Sequence, residues 1–233
     1  MKKSAILCTI GVAATLTVCA SSTAQASSLD NQIRKVTAKF EAMQRNPREC
    51  VPSDLLRNAR GIILLDRTKA GFGFAFEGGS GIAMVKDARG NWSPPAFLRS
   101  SEASLGPQFG GEQNFFVILL MTTNETRELT GSVVDFGGVA QGTAGDQSAG
   151  VENLAVPKDS GLVYGDRKGF YGGVAMKGGT LSPDNRANAT YYGHYVTMRD
   201  ILFDRKVHPT EAATDLAHTL SNYSQTYGTV DTR

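Results

Sequence analysis

Residues 61–86 read GIILLDRTKAGFGFAFEGGSGIAMVK. The apolar run that begins at Ile62 is short and stops at Asp66, which suits a strand better than a helix. Phe72, Phe74 and Phe76 then alternate with Gly71, Gly73 and Ala75, so one strand face is aromatic and the other nearly bare. Something must pack closely on the bare face. The same texture continues: 24 of the 26 glycines lie between Gly61 and Gly193, and the apolar runs there stay short. Strands are expected at 62–66, 71–77, 81–86, 115–121, 132–136, 161–164, 169–176 and 191–196, with turns at 87–91 and 182–185.

Helices flank this block. Leu29, Ile33, Val36, Phe40 and Met43 recur in steps of four, three, four and three, one narrow stripe on a helix over 29–45. Asp30 stands in its first turn, and Lys39, Arg45 and Arg48 lie toward its C-terminal end, an arrangement that complements the helix dipole, and Pro47 stops the helix. Ser53, after Pro52, is expected to cap a second, short helix that ends before Gly61. Helical spacing returns over 210–223 through Ala213, Leu216, Ala217, Leu220 and Tyr223. The fold expected is α+β: a glycine-rich, mostly antiparallel sheet or barrel-like core with N-terminal helices and one C-terminal helix.

Met1-Lys2-Lys3, the apolar run from Ala5 to Ala20 and the polar stretch before Ala24-Gln25-Ala26 have the order of an export signal cleaved after Ala26. An alternative is the lipobox-like Leu16-Thr17-Val18-Cys19, in which Cys19 is acylated and becomes the new N-terminus. Cleavage after Ala26 gives a periplasmic or secreted single domain, 27–233. Losing Lys2 and Lys3 turns 24 basic and 22 acidic residues into 22 of each. A neutral chain argues against nucleic-acid binding driven by bulk charge. Of Cys8, Cys19 and Cys50 only Cys50 survives that cut, which excludes an internal disulfide and a cysteine metal site.

The chain carries little that reads as reactive chemistry. Gly71-Phe72-Gly73 lacks the third glycine of a dinucleotide loop and any Gly-Lys-Ser/Thr ending, so no cofactor is expected. There is no Gly-x-Ser-x-Gly elbow and no His-Glu-x-x-His pair among His194, His208 and His218. Glu211, Asp215 and His218 share a helix face, the one arrangement open to a metal-dependent hydrolase, though a solvated face explains it as well. Two cation sets suit an anionic ligand instead. Arg34, Lys35, Lys39, Arg45 and Arg48 line the first helix beside its apolar stripe, a composition found on membrane-surface helices and equally on helices that cover a sheet. Lys69, next to Asp66 and Arg67, and the pair Arg167 and Lys168 sit in segments expected to be loops. Trp92 is expected to seal one end of the core.

Several stretches, in order, resemble the SYLF domain, also called the Ysc84 family. They are residues 54–62 (DLLRNARGI), 69–74 (KAGFGF), 79–83 (GSGIA), 91–96 (NWSPPA), 106–112 (GPQFGGE), 169–174 (GFYGGV) and 188–193 (NATYYG). The resemblance runs from about Val51 to Pro209. It implies a non-enzymatic domain that binds anionic membrane lipid, phosphoinositides in eukaryotic relatives, with an N-terminal amphipathic segment taking part and actin bundling in the fungal branch. A cell-envelope protein partner is the alternative. The chain departs from the family at Tyr164-Gly165-Asp166-Arg167-Lys168, where a Tyr-Ser-x-Ser stretch is common, so head-group preference is expected to differ there.

Overall fold

A computed structural model describes the backbone of residues 13–72, 75–104, 109–131, 134–135, 162–165, 169–171 and 180–225, with side chains over 25–68, 78–100, 113–131, 162–165 and 181–225. The order of elements is α1 (Ala13–Gln44), α2 (Ser53–Asn58), β1 (Gly61–Phe72), β2 (Ala75–Val85), β3 (Ala96–Ser104), β4 (Phe109–Leu120), α3 (Thr123–Glu128), β5 (Val134–Asp135), β6 (Leu162–Gly165), β7 (Gly169–Tyr171), β8 (Thr180–Pro183), α4 (Asn185–Tyr192), α5 (Met198–Leu202) and α6 (Glu211–Gln225). The strands form one sheet in the order β5-β8-β3-β2-β1-β4-β6-β7, every pair antiparallel. The fold is therefore α+β, and among the described residues the sheet is open rather than closed into a barrel.

The unbroken run Ile62-Ile63-Leu64-Leu65 fixes the architecture, because alternate residues of a strand point to opposite faces and all four are apolar. Each is at most 1% exposed, so both faces of the sheet must be covered. Ile62, Leu64, Ile82, Met84, Phe97, Phe115, Val117 and Leu119 pack under α1, α2, α4 and α6. Ile63, Leu65, Val85, Leu98, Phe116, Ile118, Leu120 and Leu181 pack against Leu129, Met198, Ile201, Leu202 and Val207. Trp92 is buried as expected, with the Lys86 ammonium 4.6 Å from its ring centroid.

Glycine permits a close approach where β1 meets β2. A Cβ at Gly79 would lie 2.9 Å from the Asp66 carbonyl oxygen and 3.0 Å from Arg67 Cγ. Of the expected bare face, Gly71 lies near the end of β1 and Ala75 opens β2, while Gly73 and the side chains of this stretch lie outside the described residues.

Several expectations are corrected. Tyr191 and Tyr192 do not begin a strand over 191–196; they end α4, which Asp184 caps by accepting from the Ala187 N–H at 2.9 Å and Gly193 terminates at φ +76°. Residues 182–185 are not a turn, since Leu181–Pro183 pair with β3 before the helix starts. On the β3 side Pro183 stands opposite Leu98, and the next residue supplies the ladder bond, the Asp184 N–H donating to the Phe97 carbonyl at 2.9 Å. The serine-rich β3 and the short helices α3 and α5 carry too little apolar periodicity to announce themselves. The expected strand 71–77 is divided between the end of β1 and the start of β2. Pro52, not Ser53, occupies the cap position of α2 and makes no side-chain bond there. The expected first helix is the second half of a longer one, so Asp30 lies inside α1 rather than in its first turn. Its carboxylate instead accepts from Tyr191 Oη at 3.0 Å and Thr210 Oγ1 at 2.7 Å.

Candidate functional site

The stripe that α1 offers to the sheet is the one its spacing predicts. Ile33, Val36, Phe40 and Met43 are at most 2% exposed, and Leu29 is partly buried beside them. The helix crosses the strands rather than following one. Asp30 meets Tyr191, whose ring stacks edge-on with Phe97 of β3 at 5.0 Å. Lys35 and Lys39 reach Asp66 of β1, Lys39 also stands 5.9 Å over the Phe115 ring of β4, and Phe40 packs edge-on against Tyr223 of α6 at 5.7 Å.

Asp66 is the hub of the polar contacts beneath α1. It shares its strand face with Leu64 and Ile62, is 7% exposed, and its carboxylate must be met by donors if it is to stay charged there. Lys39 Nζ lies 2.7 Å from Oδ1 and Lys35 Nζ 2.9 Å from Oδ2, with Gln113 Nε2 at 3.5 Å from Oδ2. The two lysines differ: the Lys39 side chain is 26% exposed and the Lys35 side chain 54%. Arg34 reaches the other way, to Glu211 and Asp215 of α6, both at 3.7 Å. All three groups of these pairs are more than half exposed, and such pairs contribute at most about 1 kcal/mol. Beyond α1 the sheet face continues as the exposed Thr68, Ser80, Arg99 and Gln113.

The outward side of α1 is exposed at Asn31, Arg34, Lys35, Ala38, Ala42 and Arg45. That stripe contains three cations, two small residues and no acid; Arg48 is exposed just beyond its end. Arg45 and Arg48 make no ion pair among the described residues. The cations expected to act as one set are thus divided between a tie to the sheet at Lys39, intermediate positions at Arg34 and Lys35, and open positions at Arg45 and Arg48. Lys69 is on β1, not in a loop, and the register sets it opposite Glu77 on one side and Glu112 on the other. Arg167 and Lys168 lie outside the described residues.

The hydrolase alternative finds no constellation. Glu211, Asp215 and His218 are exposed on α6, the two acids next to Arg34, and no group of three or more metal-ligating side chains occurs among the described residues. His194 is exposed, with Nδ1 2.9 Å from the Tyr192 carbonyl oxygen. Among the described residues no helix is long and apolar enough to cross a membrane.

Two of the sequence stretches that stood out, 91–96 and 188–193, are held in place by packing and hydrogen bonds, whereas the side chains of 69–74, 106–112 and 169–174 lie outside the described residues. Asn188, fully buried, accepts from the Phe97 N–H at 2.8 Å and donates to the Phe97 carbonyl at 3.2 Å, so α4 is tied to β3 as a further strand would be. Tyr192 Oη donates to the Pro95 carbonyl at 2.6 Å. Ser93 exchanges backbone and side-chain bonds with Val85, its N–H donating to the Val85 carbonyl at 2.8 Å and its Oγ accepting from the Val85 N–H at 3.0 Å.

An antiparallel sheet with helices on both faces, no reactive cluster among the described residues, and one helix presenting cations outward define a scaffold suited to binding through its surface. The model of the Ysc84 family, described as Las17-binding protein actin regulator, matches residues 101–223, more than half of the chain, and the chain belongs to that family. It is 28% identical over 184 residues to LAS seventeen-binding protein 3 of Saccharomyces cerevisiae, covering 77% of this chain and 40% of that one. It is 29% identical over 167 residues to Protein YSC84 of the same yeast, 69% of this chain and 36% of the relative. With the human SH3 domain-containing YSC84-like protein 1 it shares 27% identity over 198 residues, 83% of this chain and 58% of the other. The chain thus spans less than two thirds of each of these relatives. No solved structure matches it.

Proposed function

We propose that this chain is a non-enzymatic module that docks on an anionic membrane surface through the outward side of α1. The observation that carries this reading is the exposed stripe Asn31, Arg34, Lys35, Ala38, Ala42, Arg45, continued by Arg48, with Glu41 half-buried at its flank. Small residues between the cations let a flat surface come close to the helix.

Magnitudes decide how the helix acts. Lifting α1 to insert its apolar stripe would expose Ile33, Val36, Phe40 and Met43, at a cost of roughly 6–12 kcal/mol. Four cations near an anionic surface return about 4 kcal/mol. The helix therefore stays on the sheet and binds by charge alone, with an affinity on the order of millimolar for one isolated chain. A second anchor or several copies on one surface would be needed for stable attachment.

Co-sedimentation tests this directly, using phosphatidylcholine vesicles with and without phosphatidylglycerol. Wild type pellets with the anionic vesicles only, and Arg34→Glu/Lys35→Glu/Arg45→Glu stays in the supernatant. Equal pelleting of both proteins on both vesicles contradicts the reading. We further propose export, with cleavage after Ala26. Leu29 is the first α1 residue seen packing on the body, so this cut keeps the α1 contacts described above. Intact-mass measurement of the purified protein decides between this cut and an acylated Cys19.

The names of the yeast relatives support a second reading, in which the site takes a protein partner, within the envelope or, after delivery into a host cell, from the actin machinery. Cross-linking in intact cells followed by mass spectrometry separates it from the first.

A further inference from the structure

The contact between α1 and β1 contains more cations than its buried acid needs. Asp66 is 7% exposed and already has Lys39 at 2.7 Å, a lysine whose side chain is largely covered and which also stands over Phe115. Gln113 approaches its second oxygen at 3.5 Å. Lys35 is a surplus partner. Its side chain is 54% exposed, yet its ammonium turns to Oδ2 at 2.9 Å, toward the sheet. On the helix it belongs with Arg34, Ala38 and Arg45, a side flanked on α1 by the half-buried Glu41.

We propose that Asp66 is an internal counter-charge for the docking site: it competes with the phosphates of an anionic surface for Lys35 and so sets how strongly α1 can bind. The inference rests on the docking reading and deepens it. In the resting chain Lys35 shares the one Asp66 carboxylate with Lys39, so moving it to a lipid phosphate gives up an anionic partner and gains less than an unpaired cation would. Arg45 has no ion pair among the described residues and brings its full charge to the surface. Asp66 is thus a positioning residue, acting on the surface through Lys35 while Lys39 keeps the helix seated.

The test uses the full mature chain and phosphatidylcholine vesicles with or without phosphatidylglycerol, titrated at several salt concentrations. Asp66→Asn keeps the shape and an acceptor for Lys39 while releasing Lys35. It should bind the anionic vesicles about fivefold tighter than wild type, with a steeper salt dependence, even though its thermal stability falls. A purely structural Asp66 predicts lower stability with unchanged or weaker binding, and that result overturns the proposal. A second comparison does not require the Asn variant to fold. In the otherwise unchanged chain, Lys35→Gln should weaken binding less than twofold and Arg45→Gln about fivefold. Equal losses overturn the proposal as well. Failure of wild type to bind anionic vesicles at all would remove the docking reading and this one together, whereas binding without the Asp66 effect removes this one alone.

Discussion

Asn188 shows how one side chain can stand in for a strand. Its amide makes the pair of bonds to Phe97 that a neighbouring backbone would make, in a site with no access to water. Asn188→Ala leaves the Phe97 N–H buried without a partner, while the Phe97 carbonyl keeps the Asp184 N–H at 2.9 Å, and should cost about 2 kcal/mol, a fall of roughly 4–8 °C in Tm by calorimetry. Lys86 is the other residue with a legible consequence. Its ammonium donates to the carbonyls of Leu56 at 2.7 Å and Arg57 at 3.0 Å, closing the end of α2. Burial first, and the nearby Arg60 second, pull its pKa down from 10.5 to about 8. Because the folded chain gives up this proton before the unfolded one does, the Lys86 contribution to stability increases as pH rises from about 8 to 10.5. Urea midpoints measured across that range should rise more steeply for wild type than for Lys86→Met, and parallel curves would contradict the assignment.

Among the elements, those with strong periodicity were readable from sequence. The α1 stripe, the helix at the C-terminus and the Asp87–Asn91 turn stand where spacing puts them, and the strand expected over 62–66 is there but runs on to Phe72. In that turn Asp87 accepts from the Arg89 and Asn91 N–H groups at 2.9 Å each, and Gly90 takes φ +85°. The elements that stayed hidden are those whose stability comes from elsewhere in the chain. Thr190, Tyr191 and Tyr192 favour a strand locally, yet the Asp184 cap, the left-handed Gly193 and the Asn188 bridge make them helical. The serines of β3 read as loop until β2 and β8 supply partners on both sides. The proposed docking site was half legible. Its cations were visible at helical spacing, but the division of labour among them depends on Asp66, and only the face alternation of β1 under a crossing helix reveals that. The signal was available in principle, since an acid two residues after Leu64 on a buried face requires a partner.

At the scale of the whole molecule, both faces of the sheet are occupied by core, which leaves surfaces rather than cavities to do the work among the described residues. A mature chain with equal numbers of acidic and basic residues would gain nothing from bulk attraction to an anionic bilayer. The proposed binding therefore rests on a local asymmetry: the outward side of α1 carries cations while its apolar side is committed to the core. The most direct measurement attaches a polarity-sensitive fluorophore to Ala38→Cys in the mature chain carrying Cys50→Ser, with Thr214→Cys on the exposed side of α6 as the comparison. On adding anionic vesicles the Ala38 probe should shift to the blue and the Thr214 probe should not. A shift at Thr214 with none at Ala38 would contradict docking through the outward side of α1.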